Sequence, residues 1–267
     1  MEYGVDRNEV LRYLGYAGQA MEPSLYDRID GIIVRAEREL SPKSVVRYFG
    51  IEVHDGRSEG DGCESDNGGG GAGDSVRRGG AGSDGGDAAH GGTTDNGPYV
   101  EVLGASLRFD GADIATHLQG AKECALMACT LGAKSEQELL RLNAANPLDA
   151  LIYDAACSAL IERVADATEA RVVAEAAERG LHTNWRFSPG YGDLPLSVQP
   201  RFLAVLGAYE AIGLSATDTD LLLPTKSITA IVGLFDDAPV RKKPQACASC
   251  HLKDFCAIRA AGRVCHG

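Results

Sequence analysis

The chain has 267 residues, enough for one large domain or two small ones, and its 44% hydrophobic content is ordinary for a soluble globular protein. The net charge of −12 argues against nucleic acid or an anionic membrane as a partner, because both are polyanions. No signal-peptide pattern is present and no apolar run approaches the roughly 20 residues that span a bilayer. We therefore expect a cytoplasmic protein with neither nucleic acid nor membrane as a partner.

The pattern of residues 1–54 indicates the N-terminal part of a domain, with two helices and a strand. Asp6 and Glu9 form a capping-box pair at the start of a short helix, and Pro23 opens a longer helix with one apolar face. β-Branched and aromatic residues favour strands in three segments, which are 45–53, 99–103 and 106–109.

Residues 55–97 interrupt this pattern with sixteen glycines, nine acids, three bases and almost no large apolar side chain. Such a segment cannot bury enough surface to offset the entropy of ordering it, so we predict a flexible insertion. Its four consecutive glycines from Gly68 are not followed by the Gly-Lys-Ser/Thr of a phosphate-binding loop. We therefore expect no phosphate site there.

We assign residues 98–240 to the remainder of the same domain. Asp113 is expected to cap an alanine-rich helix that ends at Gly132. His117 and Cys124 would then share one face of that helix. We interpret them as packed core groups, since such residues on an alanine-rich helix are more often core than ligands.

The longest periodic run opens with Asn146 as the cap and Pro147 as the first helical residue. Glu162 falls on or beside the apolar stripe of this helix, and an acid in that position needs a partner. From the residues alone, a salt bridge with Arg163 or Arg171 at the helix edge is one interpretation.

Helices and strands are interspersed without the regular βαβ rhythm of a doubly wound fold. Ser197 is expected to cap a helix that ends at Gly213, and Pro224 separates predicted strands at 221–223 and 226–234. We therefore predict an α+β fold, a single domain with a mixed or antiparallel sheet and several packed helices.

The most distinctive segment reads Arg-Phe-Ser-Pro-Gly-Tyr-Gly-Asp and starts at Arg186. Pro189 restricts its own φ and pushes Ser188 toward an extended conformation, while Gly190 supplies the positive φ that Pro-Gly turns often need. Arg186 offers a planar guanidinium suited to a carboxylate, and Tyr191 offers a flat ring. We interpret the segment as a ligand-binding loop, with an ordinary surface turn as the alternative.

The pattern Arg-x-Ser-Pro-Gly-Tyr closely resembles the S-adenosylmethionine-binding motif of the reactivation domain of cobalamin-dependent methionine synthase. The resemblance covers nearly the whole chain apart from the insertion. Further stretches that resemble the free-standing members of that family are 10–16, 117–120, 130–132, the helix around Glu162, and 223–230.

The resemblance implies that Arg186 clamps the carboxylate of S-adenosylmethionine and that Glu162 binds its ammonium group. Ser188, Gly190 and Tyr191 would cradle the nucleoside and methionine moiety. The family's methyl acceptor is cob(I)alamin on a partner protein, formed by one-electron reduction of cob(II)alamin, so no catalytic nucleophile is expected in this chain. The protein would contribute by positioning the two cofactors and excluding water.

The function implied by the resemblance is that of a reactivation protein for a corrinoid-binding methionine synthase or another corrinoid protein. This chain has Gly-Asp-Leu-Pro from Gly192 where the family often carries Ala-Cys-Pro. Two other functions stay open. One is a sensor that binds S-adenosylmethionine without methyl transfer, and the other is a metal-bearing interaction module.

Four of the eight cysteines lie within nineteen residues of the C-terminal tail 241–267, and they are Cys247, Cys250, Cys256 and Cys265. Clustered thiolates of this kind can hold zinc or an iron–sulfur cluster. Loose, reducible thiols are the alternative, because only the initial Cys-x2-Cys matches a common metal pattern. With six bases and one acid, the tail also offers a docking surface for an acidic electron-transfer protein.

Overall fold

The structure is a computed structural model that describes residues 3–56 and 97–239. Most of the predicted insertion over 55–97 and the whole cysteine tail lie outside the described residues. In chain order the elements are α1 (Arg7–Tyr13), α2 (Pro23–Glu39), β1 (Lys43–His54), β2 (Tyr99–Val102), β3 (Leu107–Asp110), α3 (Ala112–Leu118), β4 (Glu123–Thr130), α4 (Ala133–Ala145), α5 (Pro147–Glu178), β5 (His182–Thr183), α6 (Gln199–Leu206), α7 (Ala208–Ile212), β6 (Ser215–Ala216), β7 (Leu222–Leu223) and β8 (Ser227–Phe235).

Six strands form one sheet in the order β3-β2-β1-β4-β8-β5, and every neighbouring pair is antiparallel. Strand β1 pairs with β4 over its first eight residues and with β2 over its last four, so its end extends past β4. A small two-stranded sheet joins β6 to β7. The predicted α+β fold is confirmed, and the main sheet is antiparallel.

Helices cover both faces of the sheet, which gives three layers. One core lies between the sheet and α1, α2, α4 and α5, and Met127 and Val232 are among its fully buried members. The other core lies beneath α3, α6 and α7, with Phe109 and Phe202 at its centre. None of the helices within residues 3–56 and 97–239 combines the length and apolarity needed to cross a membrane.

Local capping explains several helix starts. The side chain of Asp6 accepts a hydrogen bond from the backbone of Asn8 at 2.9 Å, and that of Asn146 accepts from Asp149 at 3.3 Å ahead of Pro147. These predicted starts are confirmed. The run that was expected to form one helix from Ser197 to Gly213 is instead two short helices, because Gly207 adopts a left-handed conformation between them.

The predicted alanine-rich helix from Asp113 to Gly132 is wrong. Helix α3 ends at Leu118, and residues 123–130 form β4, the strand between β1 and β8. Every residue of β4 after Glu123 is buried, because core lies on both faces of the strand. A strand buried on both faces shows no alternation of apolar and polar residues, so its alanines read as a helix.

Candidate functional site

The Arg186 loop follows β5 directly and is fastened to the middle of the neighbouring strand β8. The amide of Asn184 accepts from the N–H of Gly233 at 2.7 Å and donates to the carbonyl of His117 at 2.8 Å. The backbone of Phe187 then exchanges two hydrogen bonds with Ile231 of β8, at 2.9 and 2.8 Å. The backbone on both sides of Arg186 is therefore held by buried hydrogen bonds rather than left as a free surface loop.

The Pro-Gly segment forms the predicted turn. The N–H of Tyr191 donates to the carbonyl of Ser188 at 3.0 Å, with Pro189 and Gly190 at the two central positions. Gly190 has a φ of 92°, as a type II turn requires at its third residue. Pro189 is buried, whereas the ring of Tyr191 is 51% exposed and packs edge-on against Phe187. The turn thus presents bare backbone and one aromatic ring to solvent.

Asp193 ties the far end of the loop to α3. Its carboxylate accepts from the backbone N–H groups of Ala112 at 2.6 Å and Asp113 at 3.1 Å, so it caps this helix from across the chain. Asp113, the predicted cap, lies in the first turn of the helix instead. Next to Asp193, the side chain of Leu194 is only 1% exposed and anchors the loop in the core.

Three carboxylates of α5 surround the guanidinium of Arg186. Its Nη2 lies 2.9 Å from Asp166 and 3.5 Å from Glu162, and its Nε lies 3.3 Å from Glu169. Glu169 also accepts from the backbone N–H of Arg186 at 3.1 Å. The acids are spaced by four and three residues, which places them on one face of the helix. The structure thus brings together Arg186 and Glu162, which the resemblance had paired across one ligand.

The interpretation of Glu162 as the partner of Arg163 or Arg171 is wrong. Its ion pair is with Arg186, while Arg163 pairs with Asp166 at 3.7 Å and Arg171 pairs with Glu175 at 3.9 Å. A partner 24 residues away on a loop cannot be deduced from the spacing along a helix.

One nitrogen of Arg186 is buried and has no hydrogen-bond partner in the described part of the chain. This nitrogen, Nη1, belongs to a side chain that is only 19% exposed. A buried donor without an acceptor costs free energy, which an incoming carboxylate would recover. Glu162 and Asp166 are nearly half exposed, and together with Glu169 they outnumber Arg186 and Arg163, the two arginines that pair with them. The cluster therefore offers one guanidinium and an excess of carboxylates, a charge pattern that suits a zwitterion with additional positive charge.

Tyr13 borders this cluster, which we call the Arg186 cluster (Arg186, Glu162, Asp166 and Glu169). Burial raises the pKa of Tyr13, and the negative charge of Glu162 adds to the rise, so α1 closes one side of the site. Trp185, the residue before Arg186, lines a surface groove of about 430 Å³ between α5 and β5.

Sequence reasoning missed Asp166, Glu169 and Tyr13. The sequence indicated the two acids in part, because they follow Glu162 at helical spacing, whereas nothing in the sequence places α1 and its Tyr13 beside them.

Of the eight cysteines, the structure describes Cys124, Cys129 and Cys157, which form no disulfide and are buried. Burial raises the pKa of each thiol, that of Cys157 to about 12.

The predicted metal ligands lie outside the described residues, so the metal assignment stays a prediction. These ligands are Cys247, Cys250, Cys256 and Cys265.

Fold and site together define a class, an α+β domain whose antiparallel sheet supports a Pro-Gly turn beside an acidic helix face. Among solved structures the chain is similar to the crystal structure of the MetH reactivation domain bound to AdoHcy. The TM-score is 0.56 and the identity 13%, over 98% of this chain and 82% of that chain. No family model and no curated protein matches the sequence. The resemblance predicted from the loop motif is thus confirmed at the level of the fold.

Proposed function

We propose that this chain binds S-adenosylmethionine at the Arg186 cluster and acts as a free-standing reactivation protein for a corrinoid protein. The observation that carries the proposal is the guanidinium of Arg186, which Glu169 fixes and whose buried Nη1 meets no acceptor among residues 3–56 and 97–239. The shared fold supports the same ligand class, because the similar domain binds AdoHcy. AdoHcy is S-adenosylmethionine after loss of its methyl group.

Each charged group of the ligand finds a complementary group in this arrangement. The carboxylate would accept from Nη1 of Arg186, and the ammonium group would lie against Glu162. The positive sulfonium would be stabilised by the remaining acids, since the Arg186 cluster carries three carboxylates and one guanidinium. Ser188, Gly190 and Tyr191 would contact the remainder through the exposed turn.

S-Adenosylmethionine would supply the methyl group for the reduced cobalt of a corrinoid-binding methionine synthase or a related methyltransferase. The chain's own residues bind and orient the methyl donor and exclude water from it. The turn at Gly190 leaves one side of the site open, which is where the partner would approach. The basic tail 241–267 is proposed to contact an acidic electron-transfer protein, with zinc or an iron–sulfur cluster on its cysteines.

Calorimetric titration of S-adenosylmethionine into the wild-type chain and Arg186→Ala tests the binding site. We expect saturable binding, and a loss of about 2 kcal/mol or more in the variant, roughly thirtyfold in affinity. Arg141→Ala is the matched control, because Arg141 is exposed on α4 and pairs with Glu138. Methionine and adenosine, titrated separately, should bind far more weakly than the intact ligand.

Equal affinities for Arg186→Ala and Arg141→Ala would rule out the Arg186 cluster as the site. Methyl transfer from labelled S-adenosylmethionine to a chemically reduced corrinoid protein then separates reactivation from sensing. Binding without transfer would favour the sensor. Replacement of all four tail cysteines by serine should leave S-adenosylmethionine binding unchanged, whereas the interaction-module alternative predicts no binding by the wild type at all.

A further inference from the structure

A second polar cluster lies at the far end of β1, on the side of the sheet that faces α5. Along β1, Val46 and Tyr48 pack into the α5-side core, and Glu52 and His54 follow on the same face at two-residue spacing. Ile51 and the buried residues of β2 point to the opposite core. The sheet therefore presents polar side chains here, where β1 extends past β4.

The strand register places two carboxylates directly opposite each other. Glu52 pairs with Glu101 across the β1–β2 ladder, and like charges in this relation destabilise a sheet. Arg108 is the cross-strand neighbour of Glu101, but its guanidinium binds Asp110 at 2.5 Å. The same guanidinium also lies 3.6 Å above the ring of Tyr99. The two glutamates thus face each other while the nearest arginine is engaged elsewhere.

His54 brings a nitrogen ligand to this pair. Its Nε2 lies 3.9 Å from an oxygen of Glu52 and 4.0 Å from an oxygen of Glu101, and the three atoms all lie within 4.8 Å of one another. The imidazole stacks on Tyr99 with a centroid distance of 4.3 Å and an angle of 14°. Nε2 is buried and makes no hydrogen bond to any residue that the structure describes. The ring is therefore oriented with an unused nitrogen toward two acids.

We propose that Glu52, His54 and Glu101 bind a divalent transition-metal ion, with Zn²⁺ as the representative probe. Ligand atoms at zinc bond lengths of about 2.0–2.2 Å lie roughly 3.4 Å apart in a tetrahedron. The two distances from Nε2 need to contract by about half an ångström, and the distance between the two carboxylate oxygens by up to about 1.4 Å, which rotation of two exposed glutamate side chains can supply. The metal neutralises the opposed glutamates and joins β1 to β2.

The ligand set determines the class of ion. One imidazole nitrogen with two carboxylate oxygens suits zinc and its transition-metal neighbours, whereas Mg²⁺ and Ca²⁺ prefer oxygen ligands alone. Three protein ligands leave a fourth position for water or an external ligand. This site is independent of the S-adenosylmethionine proposal, because it shares no residue with the Arg186 cluster.

Zinc titration of the full-length chain tests the proposal, with the tail thiols removed so that they cannot compete. In the parent protein for this titration, serine replaces the four tail cysteines, which are Cys247, Cys250, Cys256 and Cys265. Zinc affinity is measured by competition with a chromophoric chelator, and imidazole nitrogen resonances are followed by NMR. We expect one zinc per chain and a shift of the His54 Nε2 resonance, with no comparable response to Mg²⁺.

Two variants give the decisive comparison. His54→Gln should lower zinc affinity by more than the roughly 10- to 100-fold that loss of a merely supporting group costs, and Glu101→Gln should also weaken binding. His182→Gln is the matched control, since His182 is an exposed histidine in β5, at the opposite edge of the sheet. Zinc should raise the melting temperature of the parent and of His182→Gln, but not that of His54→Gln.

The proposal is overturned if His54→Gln and His182→Gln bind zinc equally well. It is also overturned if saturating zinc leaves the His54 resonance unmoved. Circular dichroism of each variant before titration confirms that the substitution has not unfolded the chain, and His54 and Glu101 lie at a partly exposed strand end where such substitutions are tolerated.

Discussion

The Arg186 cluster and the Glu52–His54–Glu101 cluster both carry more acid than cation, but they differ in how they are held. Arg186 is fixed by its own backbone, by Glu169 and by the neighbouring bridge to β8. In the other cluster, two strands place the ligands by register, and the acids remain exposed. The first site is positioned by tertiary contacts on several elements, and the second by the pairing of β1 with β2 alone.

The unused atoms of the two clusters also differ in kind. Arg186 has a donor that no described residue engages, so its cluster can accept an anionic group as well as the cations that its acids attract. With the proton of a neutral imidazole on Nδ1, the Nε2 of His54 and the carboxylates of Glu52 and Glu101 turn only acceptors toward one another, so they suit a bare cation. We therefore predict that a substitution that weakens the anchor of the Arg186 loop in the core will impair the Arg186 cluster and leave the Glu52–His54–Glu101 cluster intact.

The largest expected effect is on the anchor of the Arg186 loop. Leu194→Ala should lower the free energy of unfolding by about 2–5 kcal/mol, because it leaves a cavity at a side chain that is 1% exposed. Leu196→Ala, at a side chain that is 40% exposed, should cost less than about 1 kcal/mol. Urea unfolding measures both. Zinc binding at Glu52, His54 and Glu101 should be the same in the two folded variants. Equal destabilisation by both substitutions would contradict the anchoring role of Leu194.

A smaller effect is expected at the turn itself. Gly190→Ala should cost about 1–2 kcal/mol of unfolding free energy, because alanine is strained at a φ of 92°. Its new Cβ would also come within 3.2 Å of Leu196. Gly31→Ala is the control, since this glycine lies in α2 with open space around it and should gain about 0.5–1 kcal/mol. Thermal unfolding should move in opposite directions for the two variants, and Gly190→Ala should also weaken S-adenosylmethionine binding.

The smallest effect concerns ligand charge. Asp166→Asn removes one carboxylate beside Arg186, and at 49% exposure the expected loss is only about 0.3–1 kcal/mol, roughly two- to fivefold in affinity. S-Adenosylmethionine should lose more affinity than S-adenosylhomocysteine, which lacks the sulfonium charge. Asp149→Asn is the control, because Asp149 also lies on α5 but pairs with Arg28 of α2, and it should leave the ratio of the two dissociation constants unchanged. An unchanged ratio in Asp166→Asn would mean that this acid does not sense the sulfonium.

The sequence alone determined the features that depend on neighbours in the chain. Asn146 and Pro147 start α5, and Pro189 with Gly190 forms the type II turn, because these residues restrict their own backbone. The strand over 226–234 and the helix from Pro23 were likewise predictable, since β-branched content and apolar periodicity are local signals. The motif at the loop was enough to indicate the fold that the structural match confirms.

Only the tertiary structure decided which distant residues meet. Cys124 lies in a central strand rather than a helix, because burial on both faces removes the alternation that marks a strand. Asp193 caps α3 from about 80 residues away, and Glu169 holds Arg186 from a different element. The opposition of Glu52 and Glu101 follows from strand register across the insertion. Each of these contacts depends on how packed elements align, and no local preference of the chain encodes that alignment.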